Sequence, residues 1–399
     1  MRIRSWVLAM LAVMPVVVFN SCSNGNNQTT PGTGFLWVAT TGDELLSSFT
    51  IDLSSGAVSS VRSSAPTGPQ PTAVALTPDG KTFFVSNLGD DTIAVYTVNQ
   101  TDGTLTVPCP SSQSNCTIVT FPAGPTPVAM TIDPTGSLLF VANQGNSGVF
   151  GQAGAVPGTI SVFSIAHLDQ PPLVFPSALP GDISGNGPTA LAIPNAPGSG
   201  NYLYVADQFS SVVAVYSYDS GGNLALLNSY PVAANPTALA FSRIVLNTNR
   251  DNFLFVSNTG SNQVSVFSAC VAPSLNCGAP TGVLSQVSPS PFSAPTGPGP
   301  ILVDPAFDWV YVIERHSFQV SQFAFAPATG GLTALSPATA STGSGPVSGG
   351  VTSDGNWVFI ANGGASNVSA FGVSSIGKLS PANTSTIILA NQPSAILIR

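Results

Sequence analysis

Residues 253–258 read Phe253-Leu-Phe-Val-Ser-Asn258, and the phrase recurs along the chain with small changes. It appears as Phe35-Leu-Trp-Val-Ala-Thr40, Thr82-Phe-Phe-Val-Ser-Asn87, Leu138-Leu-Phe-Val-Ala-Asn143, Tyr202-Leu-Tyr-Val-Ala-Asp207, Trp309-Val-Tyr-Val-Ile-Glu314 and Trp357-Val-Phe-Ile-Ala-Asn362. The central Val or Ile returns about every 54 residues from Val38 to Ile360, a period that marks a repeat architecture. Outward from the phrase, each copy keeps one order. A small-residue strand opens it, as in Pro71-Thr-Ala-Val-Ala, Pro188-Thr-Ala-Leu-Ala and Pro236-Thr-Ala-Leu-Ala. Turns such as Asp79-Gly80 and Asp354-Gly355 supply the left-handed positions that tight hairpins need. The aromatic phrase follows, then a Gly loop and an alternating strand such as Gln263-Val-Ser-Val-Phe267, and a second Gly turn leads to a weaker fourth strand.

Four antiparallel strands repeated seven times predict an all-β, seven-bladed propeller over residues 35–399. The first blade begins at its second strand, and the chain ends in Gln392-Pro-Ser-Ala-Ile-Leu-Ile398, which supplies the missing innermost strand. The last segment is therefore expected to close the ring beside Phe35, removing two open sheet edges. A closed ring needs no partner for stability, so a monomer is expected.

Composition agrees. Of 399 residues, 39 are Gly and 35 Pro, while Lys and Arg number 9 against 17 Asp and Glu. This low charge with 43% hydrophobic residues excludes a disordered tail and a coiled coil. Nucleic acid is an unsuitable partner, because the cations after the leader (Arg62, Lys81, Arg243, Arg250, Arg315, Lys378 and Arg399) are scattered.

The first 21 residues read as an export signal: Arg2 and Arg4, an apolar run from Trp6 to Phe19, then Asn20-Ser21 before Cys22. Phe19-Asn-Ser-Cys22 resembles a bacterial lipobox, which makes Cys22 the expected lipid attachment and 22–34 a flexible tether. A plain cleaved signal with an incidental Cys is the competing reading. Cys109 with Cys116 and Cys270 with Cys277 are then expected as local disulfides in an oxidising envelope, each contributing about 2.5 kcal/mol through loop closure.

The Val-Ser-Asn and Val-Ala-Asn phrases with their Gly loops and Val-x-Val-Tyr strands resemble the YVTN repeat. Together with Pro71-Thr-Ala-Val-Ala and Pro78-Asp-Gly-Lys81 they resemble the lactonase-type seven-bladed propellers. That resemblance implies the same fold and brings in 6-phosphogluconolactonases and muconate cyclases beside bacterial envelope proteins.

Function is expected on the face formed by the loops between second and third strands. There Glu314-Arg315-His316-Ser317-Phe318 replaces the usual Asn-x-Gly. Glu314 and His316 are the residues that could activate water against an ester carbonyl, and Arg315 could hold the oxyanion or a carboxylate. A polar loop with a local ion pair is the alternative. The recurrent Asn87, Asn143, Asp207, Asn258 and Asn362 could ring a ligand with Phe150 and Phe318, or could simply tie their own loops. His167 is expected on the opposite face as a turn residue. The innermost strands carry no charged residue, so no metal or other cofactor is expected at the axis. A phosphorylated sugar would call for converging cations, which this chain lacks. Two functions follow: a lipid-anchored envelope scaffold binding protein or glycan without catalysis, or a lactonase-like hydrolase of a small lactone.

Overall fold

The computed structural model describes residues 32–108, 118–145, 157–165, 177–178, 183–185, 187–194, 199–242, 252–273 and 276–399. Seven antiparallel sheets surround a common axis. Their first, innermost strands are Pro393–Ile398, Pro71–Leu76, Pro127–Ile132, Pro188–Ala192, Pro236–Phe241, Pro298–Val303 and Pro346–Val351 for blades one to seven. Each innermost strand touches the next, and the seventh touches the first. The second strands are the aromatic phrases, beginning with Thr33–Thr40.

The ring closes as expected. Leu36 pairs with Ile398 and Ala39 with Ala395, and Phe35 and Arg399 exchange two backbone hydrogen bonds of 2.8 and 3.0 Å. The fourth strands differ from expectation. They are long in blades four, six and seven (Leu224–Pro231, Gly331–Ser341, Leu379–Ile388) and broken into two short pieces in blades two, three and five.

The aromatic phrase exists because blades must bury their faces against one another. Seven apolar clusters fill the seven gaps between neighbouring blades; one joins Phe35 and Trp37 of blade one to Phe83 and Val85 of blade two. Their rings also reach across the gap. Trp37 Nε1 donates to the Gly103 carbonyl at 2.9 Å, Tyr204 Oη to Gly282 at 2.8 Å, Tyr311 Oη to Gly377 at 2.9 Å and Trp357 Nε1 to Leu53 at 2.8 Å. Gly56 and Gly377 adopt φ of +70° and +76° in the turns beneath Trp357 and Trp309, where any Cβ would collide with the indole. Only Gly satisfies both the backbone and the ring.

Threonine explains the Pro-Thr openings. Thr72 Oγ1 donates to the Pro127 carbonyl of the next blade at 2.8 Å, and Thr189 Oγ1 to Pro236 at 2.8 Å. Cys270 and Cys277 form the expected disulfide, with Cα atoms 5.2 Å apart. Cys22, Cys109, Cys116, Phe150 and His167 lie outside the described residues.

Deleting residues 393–399 removes the strand that joins blades seven and one. Thermal unfolding followed by circular dichroism is expected to lose its single cooperative transition; a variant melting like the full chain would contradict closure by this strand.

Candidate functional site

One backbone hydrogen bond shapes the loop face in every blade. The first residue after the second strand donates its N–H to the carbonyl of the residue before the inner-strand proline. The pairs are Thr41 to Gln392, Leu88 to Gln70, Gln144 to Thr126, Gln208 to Gly187, Thr259 to Asn235, Arg315 to Gly297 and Gly363 to Gly345, at 2.8–3.0 Å. Proline then starts the inner strand, and in all seven blades the register shifts there, a bulge beside the loop face. The seven donor residues therefore form one ring around the axis at the loop-face mouth of the propeller. Arg315 is its only ionised member.

In six blades a four-residue loop follows, ending in a left-handed residue before the third strand: Glu44, Asp91, Ser211, Asn262, Phe318 and Ser366, with φ between 50° and 57°. Short polar side chains tolerate that conformation; an aromatic one rarely adopts it, at a cost of about 1–3 kcal/mol. Phe318 adopts it with 46% of its surface exposed.

Arg315 is exposed to solvent, yet its stem lies across Gly299 of the inner strand, where a Cβ would come within 2.7 Å of Nε. Crowding by the surrounding protein holds the guanidinium below its ordinary pKa, though it remains a cation. Among the described residues the Arg315 side chain makes no hydrogen bond or ion pair. The His316 ring is exposed and rests on Gly297, whose φ is +71° and whose Cβ would meet Nδ1 at 2.6 Å.

The equivalent of His316 is Gly42, Gly89, Gly260 and Gly364 in four other blades, and Phe209 in blade four. Phe209 is 54% exposed and covers Gly187 as His316 covers Gly297. In these two blades glycine before the proline makes room for a side chain on the loop. Beside Phe209, Gln208 accepts a hydrogen bond from Gln144 Nε2 at 2.8 Å, so two amides face the mouth from blades three and four. Sequence reading missed Phe209, Gln208 and Gln144. The signal was the pairing of Gly187 with Phe209, matched by Gly297 with His316.

Glu314 does not join Arg315 and His316 at the surface. Its carboxylate is fully buried within blade six, where Oε1 accepts from Ser321 Oγ at 2.9 Å and Oε2 has no partner among the described residues. Burial pushes its pKa up to about 7, against the lowering effect of the Ser321 bond. The separation arises because the strand ends at Glu314, so Arg315 and His316 already belong to the loop that follows it.

The ring of Asn87, Asn143, Asp207, Asn258 and Asn362 is likewise internal, with exposures of 0–6%. These side chains lie inside their blades rather than on the loop face. Their amides bond to the third strand: Asn143 Nδ2 to Thr159 Oγ1 and Ser161 Oγ, Asn258 Nδ2 to Ser265 Oγ, and Asn362 Nδ2 to Ser369 Oγ. In blade four Ala214 stands in the place of those serines and Asp207 in the place of Asn. Burial raises the Asp207 pKa to about 6. At the other end of the blades, Asp133 and Asp304 accept backbone N–H groups of their own turns. No group of three or more His, Cys, Asp or Glu suited to a metal ion occurs among the described residues.

The family model for the lactonase, 7-bladed beta-propeller matches residues 28–121, 57–150, 173–272 and 274–394. The chain belongs to this lactonase family of propellers. Solved structures agree in fold. A candidate 6-phosphogluconolactonase of Bacteroides uniformis superposes with a TM-score of 0.72 at 17% identity, over 92% of this chain and 100% of that one. The periplasmic gluconolactonase of Pseudomonas aeruginosa gives 0.68 at 20% identity, over 92% and 99%. A protein from Lactobacillus plantarum gives 0.68 at 18%, over 92% and 99%. Comparison with functionally curated proteins gives no match.

An acid whose pKa is raised on folding stabilises the protein only while protonated, so this propeller loses stability as pH rises from the ordinary carboxylate range through about 6 at Asp207. Asp207→Asn is expected to raise stability by about 3 kcal/mol at pH 8 and by little near pH 4. Urea unfolding at the two pH values measures this; equal effects at both would contradict it.

Proposed function

We propose that this lactonase-family propeller hydrolyses a small lactone at the loop-face mouth. The reading is supported above all by Arg315, an exposed guanidinium without a side-chain partner among the described residues, at the loop-face end of inner strands that carry no charge. Membership of the lactonase family and fold likeness to the Pseudomonas gluconolactonase support it further.

Its chemistry follows from the two exposed groups. His316 takes a proton from water as the oxygen bonds to the lactone carbonyl carbon, and Arg315 faces the negative charge gathering on the carbonyl oxygen. The tetrahedral adduct then breaks its ring C–O bond, and the proton on His316 passes to the leaving alkoxide. The product is a hydroxy acid, whose carboxylate also suits Arg315. Glu314 supports the wall behind Arg315 and does not contact substrate.

Arg315→Ala is expected to reduce kcat/KM on the best lactone by about a hundredfold or more, and His316→Ala by a similar factor. Glu314→Gln should stay within about threefold, since removing a hydrogen-bonded carboxylate charge here alters no substrate contact. A pH-stat assay over a lactone panel decides. Rates equal to the uncatalysed background in wild type would end the hydrolase reading and favour the binding scaffold, for which exposed Phe209 and Phe318 beside the mouth are suited.

Export with a lipid on Cys22 is proposed from the leader, and the Cys270–Cys277 disulfide supports an oxidising compartment. Cys22→Ser is expected to move the protein from the detergent phase to the aqueous phase in Triton X-114 partitioning; unchanged partitioning would contradict lipidation.

A further inference from the structure

The left-handed residue that ends each loop answers a demand of the backbone. In six blades its carbonyl accepts an N–H from the segment leading into the next inner strand: Glu44 from Thr67, Asp91 from Ala123, Ser211 from Val232, Asn262 from Ala294, Phe318 from Thr342 and Ser366 from Leu389, at 2.7–3.0 Å. The side chain at this position is therefore free to vary. Where it serves the fold it is polar: Asp91 Oδ1 accepts the Thr126 N–H at 2.7 Å and Asn262 Oδ1 the Gly297 N–H at 2.9 Å, each joining its blade to the next. Nine non-glycine residues among those described have left-handed backbone, and eight carry a side-chain oxygen suited to local hydrogen bonds. Phe318 is the ninth. Its ring can accept no backbone group in this way, and it stays exposed. Beside it, Ser317 Oγ is buried with no hydrogen-bond partner among the described residues. The loop is thus inverted, with its hydroxyl inside and its aromatic ring outside, and its backbone is strained as well. Folding alone favours the reverse arrangement. Three residue steps, at most about 11 Å of chain, separate Phe318 from Arg315.

Building on the hydrolase reading, we infer that Phe318 sets substrate specificity: its ring packs against an aryl substituent of the lactone while Arg315 and His316 act on the carbonyl. Covering the ring removes apolar surface from water and adds a ring–ring contact, and both gains exist only with substrate in place. A hydroxylated substituent gains little here. The one hydroxyl of the loop, on Ser317, is turned inward, and Arg315 and His316 are taken by the reacting carbonyl.

Racemic γ-phenyl-γ-butyrolactone compared with γ-butyrolactone tests this. In the pH-stat, wild type is expected to favour the phenyl lactone by about tenfold or more in kcat/KM. Phe318→Asn, which suits a left-handed turn, should cut that ratio to about threefold or less, mainly through a higher KM for the phenyl lactone, and should move the urea unfolding midpoint upward. Phe318→Tyr should keep the ratio. Isothermal titration with the two hydroxy acid products reads the same preference without turnover. Survival of the ratio in Phe318→Asn, or a lower urea midpoint for that variant, would overturn the inference. If wild type hydrolyses both lactones with similar kcat/KM, the hydrolase reading stands and the specificity inference falls. If the phenyl product binds wild type more tightly than the unsubstituted one, and Phe318→Asn abolishes that preference while no lactone is hydrolysed, the role of Phe318 stands and the hydrolase reading falls.

Discussion

A single backbone hydrogen bond, repeated in each blade from the residue after the second strand to the carbonyl preceding the inner-strand proline, holds the loop face together. It involves no side chain, so the residue that donates it can change without disturbing the fold. Seven positions around the loop-face mouth are thereby geometrically equivalent and chemically open. Thr41, Leu88, Thr259 and Gly363 leave the mouth bland; Gln144 and Gln208 add amides; Arg315 adds the one charge. This division explains how a scaffold read from repeated residues can carry a site made of unrepeated ones.

The account of stability has the same two layers. Burial of aromatic second strands between blades dominates, and a chain with few charges relies on hydroxyl, amide and indole hydrogen bonds to join one blade to the next. Glu314 and Asp207 stand against this trend. Each places a buried carboxyl where blades two, three, five and seven place Asn, and each sits directly before a residue of the mouth ring, Arg315 and Gln208. The two blades with an acid at this position are also those with a side chain, His316 or Phe209, in the loop where four others have Gly.

Blade number, strand order and ring closure were legible because each depends on a local phrase that recurs: an aromatic pair before Val, a turn glycine, a proline before small residues. The site was legible only in part. Glu314-Arg315-His316 stood out by composition, but simple alternation cannot tell that the strand stops at Glu314, because the bulge beside Pro298 and the left-handed Phe318 are set by pairing across the sheet. For the same reason the recurrent Asn residues read as a polar ring, whereas their amides turn inward to serines of the third strand. Phe209 escaped notice because its meaning lies in Gly187, more than twenty residues earlier and adjacent only once the blade has folded.

The whole functional reading rests on Arg315, exposed at the loop-face end of the inner strands and without a side-chain partner among the described residues. A crystal structure of the protein grown with 4-hydroxybutanoate, the product of γ-butyrolactone hydrolysis, tests this most directly. The account predicts the carboxylate within hydrogen-bonding distance of Arg315 and beside His316. Arg315 engaged by a protein carboxylate, with the hydroxy acid bound elsewhere, would contradict it.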